Sequence, residues 1–171
     1  EFDSDRAHVL EEAYSKKVRK ILLPNIDEES VSALLELSIA HPQQCLPMMG
    51  LHPCSVKENW EEQLKTIRAY IDKEETHLKG KKFCAVGEIG IDLYWDKSTL
   101  SFQQNAFREQ LRWAKDLERP VAIHIRESFD EIFEIVEQEQ DGNLKGVFHC
   151  FTGSHEQAKR AIDLNFHLGI G

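Results

Sequence analysis

Six apolar runs of strand length recur along this chain, at residues 18–26, 45–51, 83–91, 120–125, 144–151 and 166–170, and helix-period segments separate them. Most of the runs are nearly continuous in apolar residues instead of alternating, the pattern of strands covered on both faces. Between them, Val56, Trp60, Leu64, Ile67 and Ile71 fall at helical spacing behind a Ser55/Glu58 capping box. Phe102, Ala106, Phe107, Leu111, Ala114 and Leu117 repeat the pattern, as do Phe129, Ile132, Phe133 and Val136. Shorter helices are expected at residues 31–39 and 158–164, the latter behind a Ser154/Gln157 capping box, and a first helix at residues 5–17. Strict alternation of strand and helix implies right-handed crossovers and a parallel sheet. Eight such strands close a barrel. The expectation is an α/β chain of the TIM-type (β/α) barrel class, a single domain over residues 1–171, incomplete because it lacks a first strand and its last part. An open doubly wound sheet is the structural alternative, although no G-x-G-x-x-G or G-x-x-x-x-G-K-[ST] follows the first strand. The chain opens Glu1-Phe2-Asp3 without Met and ends on β-like residues with no turn or cap, which reads as a piece of a longer protein.

Composition removes several function classes. Lys and Arg number 21 against 30 Asp and Glu, a formal charge of −9. Such a surface repels polyphosphate at long range, so sequence-independent coating of nucleic acid is excluded. Any nucleic-acid chemistry here needs a local cationic site, and a bound metal is one way to supply it. No run approaches the roughly 18–20 apolar residues of a membrane span, and no signal-peptide h-region opens the chain. Cys45, Cys54, Cys84 and Cys150 form no C-x-x-C pair, and three of them lie inside apolar runs. Buried thiols in a reducing, cytoplasmic setting are the expectation.

The polar residues inside the apolar runs carry the functional signal. His52 follows the second run, Glu88 sits in the third, and His124 and His149 close the fourth and fifth. In parallel β/α proteins the carboxyl ends of the strands form the active face. Neighbouring strands are roughly 4.8 Å apart, so Glu88, His124 and His149 on three successive strands can share a cation. One strand histidine is commonly a core histidine bonded to a carbonyl. Three at matching strand ends, with a carboxylate that burial forbids unless it is paired, point to a metal. Asp92 and Tyr94 lie just beyond Glu88 and line the mouth of such a site or cap the next loop. Arg126 shares the side of His124 and holds a phosphate or pairs with Glu127. Ser154 marks a helix start where an anion is favoured, or is simply an N-cap. His8, His41, His77 and His155 read as solvated, and the acidic run 131–141 as a solvated helix face and turn.

The segments Gly50-Leu51-His52-Pro53, Gly87-Glu88-Ile89-Gly90-Ile91-Asp92, His124-Ile125-Arg126 and His149-Cys150-Phe151-Thr152-Gly153-Ser154 resemble the TatD family of metal-dependent deoxyribonucleases, in the family's order. The resemblance implies a TIM-barrel metal hydrolase with Glu88, His124 and His149 as ligands and Glu88 bridging two ions. It implies one or two divalent cations, Mg by family habit, although His ligands favour Zn or Mn. Glu88 and Arg126 are then the catalytic residues, and His52, Asp92, Tyr94, Arg126 and Ser154 the substrate-binding ones. The partner would be DNA, at its ends or as single strands, met by a monomer. The family's opening His-x-His and its late-strand Asp, the expected general base, have no counterpart in this sequence. An amidohydrolase or phosphotriesterase-like enzyme acting on a small molecule, and an inactive binding module, remain open as alternatives.

Overall fold

The computed structural model describes residues 4–171. Helix α1 (Arg6–Ser15) leads into strand β1 (Ile21–Leu23), followed by α2 (Val31–Ala40) and β2 (Cys45–Pro47). A single 3-10 turn, Pro53–Ser55, precedes α3 (Trp60–Asp72) and the one-turn α4 (Glu74–His77). The remainder alternates strictly: β3 (Val86–Asp92), α5 (Leu100–Asp116), β4 (Val121–Arg126), α6 (Phe129–Glu139), β5 (Gly146–Phe148), α7 (His155–Asp163) and β6 (Phe166–Leu168).

Every strand pairing is parallel and follows chain order, β1 beside β2 and then β3-β4-β5-β6. The two groups are stitched together where Met49 bridges Val86. There the Met49 amide donates to Ala85 and the Gly87 amide to Met49. Strand order and parallel pairing are those expected from the alternation.

Four strands are shorter than the apolar runs that foretold them, at three residues each. The rest of the second run, residues 48–51, follows β2, whereas the first and fifth runs extend on both sides of their strands. The Ser55/Glu58 capping box does not form. Pro53 starts a 3-10 turn instead, and Gln63 reaches back to accept from the Lys57 amide and donate to the Ser55 carbonyl, so α3 begins at Trp60. The Ser154/Gln157 box is present in full, with both reciprocal bonds.

The two faces of the sheet differ. Toward the helices, Ile89, Ile91, Val121, Ile123, Ile125 and Phe148 pack with Phe107, Leu111, Ile132, Phe133 and Val136 in the largest core cluster. Burial of each such side chain contributes about 1.5–3 kcal/mol. Strand period two puts Ala122, His124 and Arg126 on the opposite face. That face is lined at its amino end by Met48, Ala85 and Ala122, backed by Cys84 and Val147. Toward its carboxyl end it turns polar, so the expected apolar cover on both faces holds for only part of the sheet.

Gly90 is the tightest joint between β3 and β4. Its φ is +146°, and a Cβ there would lie 2.0 Å from the His124 carbonyl oxygen. The β3–β4 register slips between Val86 and Ile89, across Gly87 and Glu88. A bulge of this kind re-aims a side chain, here the Glu88 carboxylate.

Two buried carboxylates tie helices to the body. Glu139 at the end of α6 accepts from Arg108 at 3.3 Å, Arg112 at 2.9 Å and Lys115 at 3.1 Å, all on α5. Glu74 pairs with both terminal nitrogens of Arg119 and accepts from the Phe83 amide. The acidic run 131–141 is therefore solvated only in part. The cysteines also depart from expectation: Cys45 is buried, Cys84 half-buried, and Cys54 and Cys150 exposed. No helix among the described residues is long and apolar enough to cross a membrane.

Candidate metal centre

Four consecutive strand exits deliver polar side chains to the carboxyl edge of the sheet. The exit after β2 carries His52, β3 carries Glu88 and Asp92, β4 carries His124 and Arg126, and β5 is followed by His149. His124 sits opposite Gly90, and Asp92 opposite Arg126.

His52, Glu88 and His124 come together, each offering one ligand atom with all three atoms within 4.8 Å of one another. His124 Nδ1 is 3.0 Å from Glu88 Oε1 and 3.3 Å from His52 Nε2, and His52 Nε2 is 4.0 Å from the same Glu88 oxygen. Two ligands each about 2.1 Å from one ion stand roughly 3.0–3.4 Å apart in octahedral or tetrahedral geometry. Two edges of the triangle already match, and the third closes with a small turn of one side chain. The donor set of two imidazoles and a carboxylate therefore fits a divalent cation.

The surroundings aim these donors. The Cys54 amide donates to His52 Nδ1 at 3.2 Å, so the neutral ring carries its proton on Nε2, 3.3 Å from His124 Nδ1, and ligation through Nε2 requires that proton to leave. His124 Nε2 lies 2.9 Å from Asp92 Oδ2, so His124 donates away from the centre to a carboxylate and presents Nδ1 to Glu88. This carboxylate–histidine pairing fixes the orientation of metal-binding rings.

Electrostatics follow from burial. Burial, then the neighbouring His124, lower His52 to about 4 despite the nearby acids. For His124, burial opposes the charged form, but the hydrogen bonds to Glu88 and Asp92 outweigh it and raise the ring's affinity for a proton. Burial pushes Glu88 up, whereas the His124 bond and the fields of His52, His124 and His149 hold it below the usual carboxylate range. Asp92 is likewise held low against its burial, by His124 and two backbone amides.

The structure regroups the residues singled out from sequence. Glu88 and His124 are joined by His52, which was expected to bind substrate. His149 is exposed and outside the close triad, although its charge acts on Glu88. The His149 amide still donates to the Ile123 carbonyl of β4, and the chain turns at the next residue, Cys150, at φ +46°. Asp92 was expected to bind substrate, but it is 2% exposed and its oxygens are taken by His124 and the amides of Tyr94 and Trp95. Arg126 does not pair with Glu127; its guanidinium lies 3.7 Å from the centroid of the Tyr94 ring, and it has no carboxylate partner among the described residues. Ser154 is the N-cap of α7, its hydroxyl accepting from the Gln157 amide. Of the four histidines read as solvated, His41 is half-buried and His77 is half-buried against the Tyr70 ring.

Two residues on α5 had no such signal in the sequence. Gln103 clamps the backbone of Asp92, accepting from its amide at 2.8 Å and donating to its carbonyl at 3.1 Å. Gln110, two turns on, does the same to Leu51, beside His52. Only their polarity on a buried helix face hints at this work.

A family model described as TatD related DNase matches residues 1–171. The chain is 32% identical over 171 residues to the "uncharacterized metal-dependent hydrolase YabD" of Bacillus subtilis, covering all of this chain and 64% of that protein. It is 28% identical over 170 residues to the "3′-5′ ssDNA/RNA exonuclease TatD" of Pantoea ananatis, covering 99% of this chain and 63% of that one. Among solved structures, YjjV, a TatD homolog from Escherichia coli, superposes with a TM-score of 0.80 at 27% identity, over 98% of this chain and 64% of that one. A TatD family hydrolase from Entamoeba histolytica gives the same TM-score at 22% identity, over 97% of this chain and 56% of that one, a likeness of fold. The chain thus spans somewhat less than two thirds of the length of these relatives, and its parallel β/α run is part of their TIM barrel. With its site residues at the strand exits and its whole length matched, the chain belongs to the TatD-related family of metal-dependent hydrolases.

Proposed function

We propose that this chain carries the metal-holding portion of a hydrolase that cleaves phosphodiester bonds of DNA, at strand ends or in single strands. One observation carries the reading: among the described residues Glu88, 12% exposed, has only imidazoles as ion-pair partners, whereas buried Glu74 and Glu139 are answered by Arg or Lys. A buried carboxylate without a fixed cation is costly unless a cation arrives. Glu88 and His124 are the central ligands, with His52 on one flank and His149 on the other, and Glu88 is placed to bridge if two ions bind. The two-nitrogen donor set favours Zn or Mn, and the family suggests Mg.

A divalent cation bound there supplies a Lewis acid and lowers the pKa of water. The protein's own side chains do the positioning. Asp92 keeps the His124 proton on Nε2, so that Nδ1 keeps its lone pair for a cation. Arg126, its guanidinium carbon 3.7 Å from the Tyr94 centroid, offers two N–H groups to phosphate oxygens. The positive end of α7 at Ser154 favours the same charge. None of the described acids is assigned as general base. The name of the Pantoea relative, an exonuclease on single-stranded DNA and RNA, agrees with this substrate class.

The test is cleavage of labelled single-stranded oligonucleotides, with Mg, Mn or Zn added to EDTA-treated protein, beside a panel of small esters and amides. Metal-dependent release of nucleotides is expected. Turnover of the small molecules alone would turn the reading to an amidohydrolase-like enzyme. A metal-free protein indifferent to EDTA would make it a binding module.

A further inference from the structure

The segment after β3 carries two large aromatic side chains, of which the proposed chemistry uses only Tyr94, as the seat of Arg126. Tyr94 is 49% exposed and Trp95 71% exposed, and their rings meet edge to face at 4.8 Å. Arg126 lies 3.7 Å from the Tyr94 centroid and 5.4 Å from that of Trp95. Isolated exposed apolar residues are ordinary on protein surfaces. An aromatic pair joined to an unpaired guanidinium at the rim of a metal centre is not in that class. The pair is also fixed in place: Asp92 Oδ1 accepts from the amides of Tyr94 at 3.0 Å and Trp95 at 3.4 Å, while its other oxygen holds His124.

We propose that Trp95, with Tyr94 and Arg126, is a stacking platform for one unpaired nucleobase of a single-stranded substrate, and sets the preference for single strands over duplex. This rests on the phosphodiesterase reading above. Nucleobases stack on aromatic faces without regard to sequence, because every base has a π-face. Arg126 covers Tyr94 and leaves Trp95 as the open ring, while its guanidinium takes the phosphate next to the stacked base. Charge gives the platform its importance. At −9 this chain cannot rely on a basic groove to hold a polyanion, so contacts to the bases replace those to the backbone. A base inside a duplex cannot reach the ring, and discrimination follows without any hydrogen-bonded readout.

The experiment compares the protein with Trp95→Ala and Trp95→Phe in binding a fluorescein-labelled oligothymidylate and an abasic oligomer of equal length. It is done in EDTA, so that binding is read apart from turnover. Trp95 is exposed, so neither variant disturbs the core. The expected result is about tenfold weaker binding of the oligothymidylate by Trp95→Ala, most of it restored by Trp95→Phe, with weak and unchanged binding of the abasic strand. Equal losses on both strands, equal affinity of the parent protein for both, or no measurable binding of either overturns the platform. None of these touches the hydrolase reading, which stands or falls on metal-dependent cleavage of the same oligothymidylate. If cleavage occurs, KM should rise for Trp95→Ala with kcat nearly unchanged.

Discussion

Two largely buried carboxylates of this molecule, Glu139 and Glu88, have contrasting partners. Glu139, 8% exposed, meets three permanently charged side chains from one neighbouring helix. Glu88, 12% exposed, meets two imidazoles, of which one is driven toward neutrality and the other is shared with Asp92. The first carboxylate is neutralised by the fold itself, so its charge serves stability. The second cluster holds two acids and, at most, one imidazolium, which leaves negative charge for an incoming cation. Burial is similar in the two places. The permanence of the partner's charge separates a strut from a binding site.

That contrast can be broken most directly at Glu88. Glu88→Gln should lower metal-dependent hydrolysis by roughly a thousandfold, since several kcal/mol of transition-state stabilisation go with the ion. Its melting temperature without metal should fall only slightly, because the bond to His124 is weakened but no Arg or Lys is left unpaired. A marked loss of stability in thermal melts would make Glu88 a strut like Glu139. Asp92→Asn should follow, weakening metal binding by about 10- to 100-fold through loss of His124 orientation. Calorimetric titration with Mn checks this, and unchanged affinity would show that Asp92 does not position the ring.

On the other side, Glu139→Gln should cost about 2 kcal/mol in urea unfolding, the scale of lost hydrogen bonds to charged groups. Metal affinity should not move. The smallest effect concerns pH. Burial raises Glu139, but Arg112, Lys115 and Arg108 outweigh it and hold the group at about 2. A depressed folded-state pKa gives stability that is present above the unfolded value, near 4.3, and fades as pH falls toward 2. Acid unfolding followed by circular dichroism should therefore lose part of its steepness between about pH 4 and 2 in Glu139→Gln. Identical acid profiles would remove the assigned role.

The sequence carried the strand–helix order and the polar exits because both are periodic, local signals. Val121, Ile123 and Ile125 alternate with Ala122, His124 and Arg126, and a period of two places His124 and Arg126 on one face without any tertiary knowledge. The Ser154/Gln157 box was legible for the same reason. What escaped was decided by contacts far apart in the chain. Gln110 holds Leu51 across 59 positions, and that clamp helps fix the exit that leads to His52. Glu139 looked solvated because its three cations lie on a different helix. The Ser55/Glu58 pair had the right spacing, but Pro53 and Gln63 offered a better local arrangement.

Asp92 has a kinematic consequence of its own. Its single planar carboxylate grips His124 with one oxygen and the loop bearing Tyr94 and Trp95 with the other. The Gln103 clamp holds the Asp92 amide and carbonyl, so the carboxylate turns only about its two side-chain bonds. A force on the aromatic loop therefore reaches the imidazole as a torque, across one residue and with no slack. Equilibrium reciprocity then requires that a ligand tightening the loop and an ion tightening the ring favour each other by the same factor.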